Sequence, residues 1–150
     1  MKIVSIAISK KKGTRKVQAD QASLIQDHGL EGDAHAGPWH RQVSFLASES
    51  IEKAKKKKAK KNGLDVTFGD FAENIATSGI NWQMVPVGTK VHLGDSAIAK
   101  ITQIGKECNN KCAIYYLAGD CIMPREGIFG MVLKGGKIHC GDMIRIIRDL

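Results

Sequence analysis

The β-rich character of this chain is clearest in residues 89–104, which read TKVHLGDSAIAKITQI. Two short apolar runs, residues 89–93 and 97–104, flank the dipeptide Gly94-Asp95. Apolar and β-branched runs on either side of a glycine turn are typical of a β-hairpin. The stretch therefore predicts two antiparallel strands joined by a tight turn.

A second segment repeats this design near the end of the sequence. Residues 137–142 read KIHCGD and echo residues 90–95, which read KVHLGD. Residues 143–148 continue beyond the second glycine turn, so a second hairpin is predicted. In the echo Cys140 takes the place of Leu93, which predicts a thiol packed in a strand as a small hydrophobe.

The rest of the sequence also consists mainly of short predicted strands and glycine-centred turns. Residues 2–9 open with a mostly apolar run, and the 150 residues hold 16 glycines against 3 prolines, which indicates many tight turns. Short strands without alternating helices favour a closed or nearly closed barrel over a parallel α/β sheet. We therefore expect one mainly-β domain over residues 1–150, built as a β-barrel with one or more peripheral helices.

The clearest helix covers residues 48–61 and carries the excess charge. Of the 23 basic residues, seven lie on this helix: Lys53, Lys55, Lys56, Lys57, Lys58, Lys60 and Lys61. The formal net charge is +8, and without these seven lysines it is +1. The patch contains no arginine and no interleaved aromatic residue, which disfavours nucleic-acid recognition. A solvated helix face is favoured over a surface that steers RNA or phosphate.

Several classes of protein are disfavoured by what the sequence lacks. The longest apolar runs, such as residues 3–8, are far too short to cross a bilayer, and Met1 begins on a strand-like segment rather than a leader. No phosphate-binding loop, dinucleotide-binding glycine motif, serine-nucleophile elbow or zinc-protease helix motif is present. We expect a cytoplasmic protein without a membrane partner that is neither a nucleotide hydrolase nor a serine hydrolase.

Three cysteines lie in polar segments that follow the predicted strand 97–104. They are Cys108, Cys112 and Cys121. A chain without an export signal is expected to keep its thiols reduced, so structural disulfides are disfavoured. The thiolate is the form that attacks sulfur or binds metal, and nearby cations favour it. Three cationic side chains are near in sequence: Lys106, Lys111 and Arg125.

A zinc site is the main competing interpretation of these cysteines. The spacing Cys-x3-Cys suits a first ligand pair, but the sequence supplies no second regular pair. A closed structural site would need Cys140, His139 or a more distant histidine as its fourth ligand. Soft thiolates also suit other metals, so Cys112 is a candidate ligand without a defined ion.

A polar, glycine-rich segment is the second candidate site. Residues 28–44 read HGLEGDAHAGPWHRQVS, which is poor core material because each buried polar group needs a partner. Gly32 lets the backbone approach a ligand closely, and Arg41 offers a planar fork for a phosphate or carboxylate. Alternatively, the segment is a hydrogen-bonded loop in which Asp33 and His35 only satisfy backbone groups.

Taken in order, these segments resemble the MOSC domain, the family named for the C-terminal domain of molybdenum cofactor sulfurase. The likeness covers nearly the whole chain, up to the final Gly141-Asp142 turn. The motifs that carry it are GLEGDAH (29–35), RQVS (41–44), GDFAENI (69–75), PVGT (86–89), TQIGKEC (102–108) and MPREGIF (123–129). The third motif contains Asn74, which is also explained by a simple turn. The chain is similar to the compact stand-alone bacterial form, without a pyridoxal-phosphate desulfurase domain.

The resemblance implies a mainly-β barrel and a role around the molybdenum cofactor. Cys108 matches the family cysteine that carries sulfur as a persulfide or ligates molybdenum bound to a pterin dithiolene, and Cys121 is the second candidate for the reactive thiol. The candidate cofactor-binding residues are Gly32, Asp33, His35, Arg41, Asn74 and Arg125. The expected partners are a cysteine desulfurase or other sulfur donor and a molybdenum cofactor-dependent enzyme.

Three functions remain open at this point. The first is a protein that binds the molybdenum cofactor, carries sulfur for its maturation, or does both. The second is a molybdenum cofactor-dependent reductase of N-oxygenated compounds, as some MOSC relatives are. The third is a non-catalytic metal-binding module that uses the cysteines. The sequence therefore leaves open whether the chain is a sulfur-transfer protein, an oxidoreductase or no enzyme.

Overall fold

The computed structural model describes residues 1–62, 67–106 and 122–148, and the side chains of the first helix up to residue 56. These parts of the chain contain eleven strands, two α-helices and a short 3-10 turn. The strands are β1 Lys2–Ile8, β2 Val17–Ala19, β3 Gln21–Ile25, β4 Gly29–Leu30, β5 Val43–Ala47, β6 Ile75–Ser78, β7 Lys90–Leu93, β8 Ala97–Ile104, β9 Ile128–Lys134, β10 Gly136–His139 and β11 Ile144–Ile147. The helices are α1 Ser48–Asn62 and α2 Met123–Glu126, and the 3-10 turn is Trp82–Met84.

The strands form two sheets, and the predicted mainly-β class is confirmed. The larger sheet has eight strands in the order β11-β7-β8-β9-β5-β6-β1-β2, and the smaller sheet has the order β10-β3-β4. Strands β5 and β6 pair in parallel, whereas the other named pairs are antiparallel. The strand pair predicted from residues 89–104 is observed as the β7–β8 hairpin.

Strand β5 is buried on both faces because an apolar cluster covers each face, while its two edges pair with β9 and β6. Its sequence is a continuous apolar run interrupted only by Ser44, as expected for a strand that is covered on both sides. Phe45 packs in the main core, and the next residue, Leu46, packs in the second core on the opposite face. Both side chains are fully buried.

The main core joins the two sheets. Leu24, Leu30 and Ile138 come from the smaller sheet and belong to the same buried cluster as Ile3 and Ile6 of strand β1. The smaller sheet therefore packs on the larger one, and the loops that leave β1 and β4 meet at the rim of this packing.

The helices cover the other face of the larger sheet. The second core contains Ile51 from α1 and Met123 from α2, packed with Leu46, Ala76 and Phe129 from the sheet. The helix predicted over residues 48–61 is observed as α1. It has few apolar residues, so it lies on the surface.

The barrel predicted from the sequence is not confirmed. Among the described residues neither sheet closes on itself. An isolated antiparallel bridge between Lys2 and Met143 links the start of β1 to the segment before β11, at the opposite end of the strand order. Barrel closure therefore stays a prediction.

The second predicted hairpin was wrong. Strand β10 pairs with β3 in the smaller sheet, whereas β11 pairs with β7 in the larger one. The chain crosses between sheets at the turn Gly141-Asp142 because the first strand intervenes: the Gly141 N–H donates to the Ile3 carbonyl and the Ile144 N–H to the Met1 carbonyl. Two similar local sequences thus form different tertiary structures.

The burial predicted for Cys140 was also wrong. Leu93, its counterpart in the echo, is fully buried within β7, but Cys140 is exposed just after the last residue of β10. Its Sγ lies 3.5 Å from the carbonyl oxygen of Ala19. The position at the crossing between the two sheets, rather than inside one of them, explains the exposure.

None of the helices that the structure describes is long and apolar enough to cross a bilayer.

Candidate functional site

A buried ammonium group lies at the centre of the polar site. The loop between β1 and β2 carries Lys16, whose side chain is 0% exposed. Its Nζ lies 2.7 Å from Asp33 Oδ1, 3.0 Å from Ser9 Oγ and 3.0 Å from His35 Nδ1. These partners come from the end of β1 and from the loop after β4, so Lys16 joins two loops at the rim of the core.

Asp33 holds this arrangement together from the loop after β4. Its Oδ1 accepts the backbone N–H of Ser9 at 3.0 Å as well as the Lys16 ammonium, and its Oδ2 accepts the backbone N–H of His35 at 3.1 Å. Burial raises the pKa of Asp33, but the hydrogen bond and charge of Lys16, together with the backbone N–H groups of Ser9 and His35, lower the pKa overall. Burial lowers the pKa of Lys16, and Asp33 opposes that shift without cancelling it. The short distance between them favours the ion pair.

His35 is a neutral imidazole in this environment. Burial, and after it the positive charge of Lys16, lower the pKa of His35 to about 4. Asp33 raises the pKa partly, and the charges of Lys106 and Lys12 lower it further. The ring is 23% exposed, so it lies between the buried ion pair and the surface.

Arg41 lies on an aromatic platform formed by Trp39 and Phe129. Its Cζ is 4.6 Å from the centre of the Trp39 ring and 5.6 Å from that of Phe129. The Trp39 indole also lies under the Lys12 ammonium at 4.8 Å and donates its Nε1–H to the His35 carbonyl at 2.7 Å. Among the described residues, Arg41 Nε is a buried nitrogen without any hydrogen-bond acceptor.

Residues 69–74 contact the backbone of the loop that carries Lys16. The Gly69 carbonyl accepts the Lys16 backbone N–H at 2.8 Å, and Glu73 accepts the N–H groups of Gly69 and Phe71 at 2.7 and 3.2 Å. Gly69 has φ +91°, and a Cβ there would lie 2.3 Å from the Lys16 carbonyl oxygen, so only glycine fits. Burial raises the pKa of Glu73 to about 7 against the opposing effect of its backbone donors.

Asn74 has protein partners for its side chain. Its Oδ1 accepts the backbone N–H of Ser44 at 2.9 Å and the Ser44 hydroxyl at 3.2 Å, and its Nδ2 donates to the Ala7 carbonyl at 3.1 Å. Asn74 is 1% exposed. These bonds tie β5 to β1 and account for the residue structurally, and contact with a cofactor stays a prediction.

The end of β8 is held next to α2 and to the polar loop. The Gly105 N–H donates to the Gly127 carbonyl at 2.7 Å, and the Lys106 N–H donates to the Pro124 carbonyl at 3.1 Å. On the same strand, Thr102 Oγ1 donates to the carbonyl of His40. Residues 28–42, β8 and α2 are therefore brought together.

The remaining predicted residues are at the edges of this region or outside the described residues. Gly32 is exposed in a left-handed turn with φ +84°, and Arg125 is exposed on α2. Cys108, Cys112 and Cys121 lie outside the described residues, so their roles stay predictions. In the described parts of the chain, no group of three His, Cys, Asp or Glu side chains could hold a metal ion.

Sequence reasoning missed Lys16, the central group of the site. The residue ends the basic run KKKGTRK over residues 10–16, and such runs ordinarily form solvated surface. No local signal distinguishes Lys16 from Lys10 or Lys11, both of which are exposed. Glu73 belongs to a motif that the sequence did single out, but its burial had no local signal either.

Solved structures of other proteins share this fold. YuaD of Bacillus subtilis aligns with a TM-score of 0.74 and 20% identity over 95% of this chain and 93% of its own. YiiM of Escherichia coli aligns with a TM-score of 0.70 and 20% identity over 100% and 71%, and YiiM of Geobacillus stearothermophilus with 0.73 and 19% over 98% and 75%. At these identities the likeness establishes the fold alone.

The family follows from the sequence match. No curated protein matches the chain closely. The model of the MOSC domain matches residues 31–145, which include the polar loop, β5 to β10 and the start of β11. The chain therefore belongs to the MOSC domain family, which is associated with molybdenum cofactor-related proteins.

Proposed function

We propose that this protein binds the anionic part of the pterin molybdenum cofactor between the polar loop and the end of β8. In this proposal Cys108 carries sulfur for cofactor maturation or ligates the metal. The observation that carries it is the buried Arg41 Nε, which lacks an acceptor among the described residues. A buried donor without a partner costs about 1–3 kcal/mol, so an oxygen ligand that accepts from it is expected.

The geometry of Arg41 supports an anion as that ligand. The guanidinium lies over the Trp39 ring and near the Phe129 ring, and a planar guanidinium can give two parallel hydrogen bonds to a phosphate or another oxyanion. The contacts with the two rings limit where the guanidinium can lie before a ligand binds.

The neighbouring charges support the same class of ligand. The positive charges of Lys12 and Lys106 both lower the pKa of His35. The Lys12 ammonium also lies over the Trp39 ring, which donates to the His35 carbonyl. Together with Arg41 they make the rim of the site cationic. A pterin phosphate or a molybdenum oxyanion is attracted to such a rim, whereas a free cation is repelled.

The cofactor fits this donor set through its oxyanions. Arg41, Lys12 and Lys106 would hold the phosphate, and the bound group would supply the redox and sulfur chemistry of molybdenum. Cys108 follows Lys106 by two residues in the sequence. A nearby ammonium favours the thiolate, the form required for a persulfide carrier or a metal ligand.

The partners follow from this role. We propose that a cysteine desulfurase or another donor supplies the sulfur. A molybdenum cofactor-dependent enzyme would receive the product. The compartment in which this exchange takes place is proposed to be the cytoplasm.

The proposal is tested by measuring what is bound to the protein when it is purified from a host that makes the cofactor. Molybdenum, pterin and sulfane sulfur are measured in the native protein, in Arg41→Gln and in Arg15→Gln. Arg15 is the matched control because it is an exposed arginine 3.9 Å from Asp70. The proposal expects molybdenum with pterin, or sulfane sulfur, in the native protein and in Arg15→Gln, with pterin strongly reduced in Arg41→Gln.

A Cys108→Ser variant separates the reactive thiol from the anion site. It should lose sulfane sulfur or molybdenum while the fold remains intact. Zinc as the sole bound element, lost with any of Cys108, Cys112 or Cys121, would overturn the proposal in favour of a metal-binding module. Bound cofactor that turns over N-oxygenated compounds would assign the reductase function instead.

A further inference from the structure

We infer that Lys16 locks the neutral His35 ring in one tautomer, with the proton on Nε2, and that this N–H is a donor to an oxygen atom of the ligand. Lys16 is then a positioning residue, and His35 contacts the ligand. The tautomer follows from the hydrogen bonds within the chain. The ligand assignment rests on the proposed function.

The hydrogen-bond donors of Lys16 determine the protonation of His35 Nδ1. An ammonium group has three N–H donors and no acceptor. Three acceptors surround Nζ at hydrogen-bond distance, namely Asp33 Oδ1, Ser9 Oγ and His35 Nδ1. Because the ammonium can only donate, His35 Nδ1 must present its lone pair and carry no proton.

Lys16 keeps its charge in this arrangement. Its nearest partner, the buried carboxylate of Asp33, also accepts two backbone N–H groups, which stabilise the ionised form. The alternative pairing, a charged His35 bonded to Asp33, is not made. His35 Nδ1 lies 3.8 Å from Asp33 Oδ2, which is beyond hydrogen-bond distance.

The other ring nitrogen of His35, Nε2, carries the proton. A neutral imidazole carries one proton, so the proton must be on Nε2. Within residues 1–62, 67–106 and 122–148 no group bonds to Nε2. Its N–H points away from the buried ammonium, and 23% of the ring is exposed. The donor is therefore available to a ligand.

The class of ligand follows from this proton and from the nearby charges. Lys16, Lys12 and Lys106 disfavour a cation, and Asp33 is occupied by its three protein donors. A metal ion on Nε2 would require Nδ1 to donate to an acceptor, whereas here Nδ1 faces a donor. An oxygen of a phosphate or similar oxyanion is left as the partner. Trp39 links this site to Arg41, because its indole donates to the His35 carbonyl and lies under the guanidinium.

The tautomer can be tested without any ligand. Long-range ¹⁵N NMR of histidine-labelled protein, with His35 assigned through a His35→Gln variant, reports which nitrogen carries the proton. We expect protonated Nε2 and unprotonated Nδ1 throughout the range from pH 6 to pH 8. A ring protonated on Nδ1, or an even mixture of tautomers, would overturn the inference.

Variants identify Lys16 as the cause. Lys16→Met combined with Asp33→Asn removes both charges together and avoids an unpaired buried ion. In this double variant His35 should lose the single-tautomer signature, whereas Lys10→Met, which changes an exposed lysine of the same loop, should keep it. A single tautomer that persists unchanged in the double variant would refute the role of Lys16.

The ligand assignment is tested with inorganic phosphate as the probe. Phosphate should shift the His35 Nε2 signal in the native protein, and Arg41→Gln should lose this response while keeping the tautomer. An unchanged Nε2 signal at saturating phosphate would overturn the ligand assignment and leave the tautomer intact. Failure of the proposed function is separate, since it appears as purified protein without molybdenum, pterin or sulfane sulfur.

Discussion

Two lysine-containing regions of this protein use positive charge in opposite ways. Lys16 is 0% exposed and has three hydrogen-bond partners, all within the site. On α1, Lys53, Lys55 and Lys56 are exposed to solvent. The helix dominates the net charge of the sequence, but the single buried lysine organises the site. Burial, rather than the number of charges, therefore indicates where charge has a specific role.

The physical reason is the cost of removing a charge from water. An ion within the protein must be paired and hydrogen-bonded, so the surrounding structure is committed to it. Ser9, Asp33 and His35 are arranged around Lys16 in this way. An exposed lysine is solvated with or without neighbours, so its removal changes little. The predictions below test this contrast.

The largest effect is expected for Lys16→Met. The change leaves the buried Asp33 carboxylate without its counterion, and breaking a buried pair from one side typically costs about 3–5 kcal/mol. Urea unfolding measures the loss. Adding Asp33→Asn should recover part of it, because the unpaired charge is then removed. A loss below about 1 kcal/mol for Lys16→Met would show that the pair is not structurally important.

The pH dependence of stability should contain two opposing contributions. The pKa of His35 is lowered from 6.5 to about 4, so the unfolded chain binds more protons than the folded protein between these pH values. The contribution of His35 to stability is therefore lost as the pH falls from 6.5 towards 4. The pKa of Glu73 is raised from 4.5 to about 7, so its contribution is present below pH 4.5 and is lost as the pH rises through 7. Each contribution is about 3 kcal/mol, from about 1.4 kcal/mol per pH unit.

Single variants separate these two contributions. In Glu73→Gln stability should rise between pH 4.5 and 6.5, and in His35→Gln it should fall across the same range. Urea unfolding at fixed pH values measures both slopes, with the native protein showing partial cancellation. Identical slopes in the two variants would mean that these groups do not titrate as their environments require.

A smaller effect is expected for Arg41→Lys, and it concerns binding rather than folding. The charge is kept, but the planar fork and the buried Nε donor are lost. Loss of one charge-assisted hydrogen bond should weaken phosphate binding about tenfold, whereas Arg15→Lys should not change it. Isothermal titration calorimetry with inorganic phosphate measures both variants. Equal affinities would return Arg41 to a purely structural role.

The smallest effect is expected on α1. Replacing the lysines at residues 55–58 with glutamine should change stability by less than about 0.5 kcal/mol and leave phosphate binding intact. Thermal unfolding and the same titration provide the measurements. Loss of binding with the fold preserved would place the site on α1. The exposed lysines of the helix, rather than Lys16, would then have the specific role.

Much of the local structure could be predicted because its signals lie within a few residues. The Gly94-Asp95 turn between apolar runs predicted the β7–β8 hairpin, and the lysine-rich segment 48–61 predicted α1. The same reasoning failed at Gly141-Asp142, where an identical turn pair joins strands of different sheets. The turn sequence specifies the bend, but the partner of each strand depends on β1, far away in the sequence.

The candidate site was predicted only in part for the same reason. The polar, glycine-rich composition of residues 28–44 indicated the candidate contacts Asp33, His35 and Arg41, and the fold brings Asp33 and His35 together. The sequence did not identify Lys16, which lies 17 residues from Asp33, or the burial of Glu73. Burial of a charged residue depends on packing that no local pattern records.

The sequence by itself determined the mainly-β class, the helix over residues 48–61, the family and the segments around which a site could form. These properties depend on composition, short-range periodicity and motif order. Only the tertiary structure decided that Lys16 is enclosed by Asp33, Ser9 and His35, that Cys140 is exposed, and that the last two strands separate into different sheets. Those outcomes depend on contacts between distant segments, where the cost of burying a polar or charged group is set by the partners that folding brings to it.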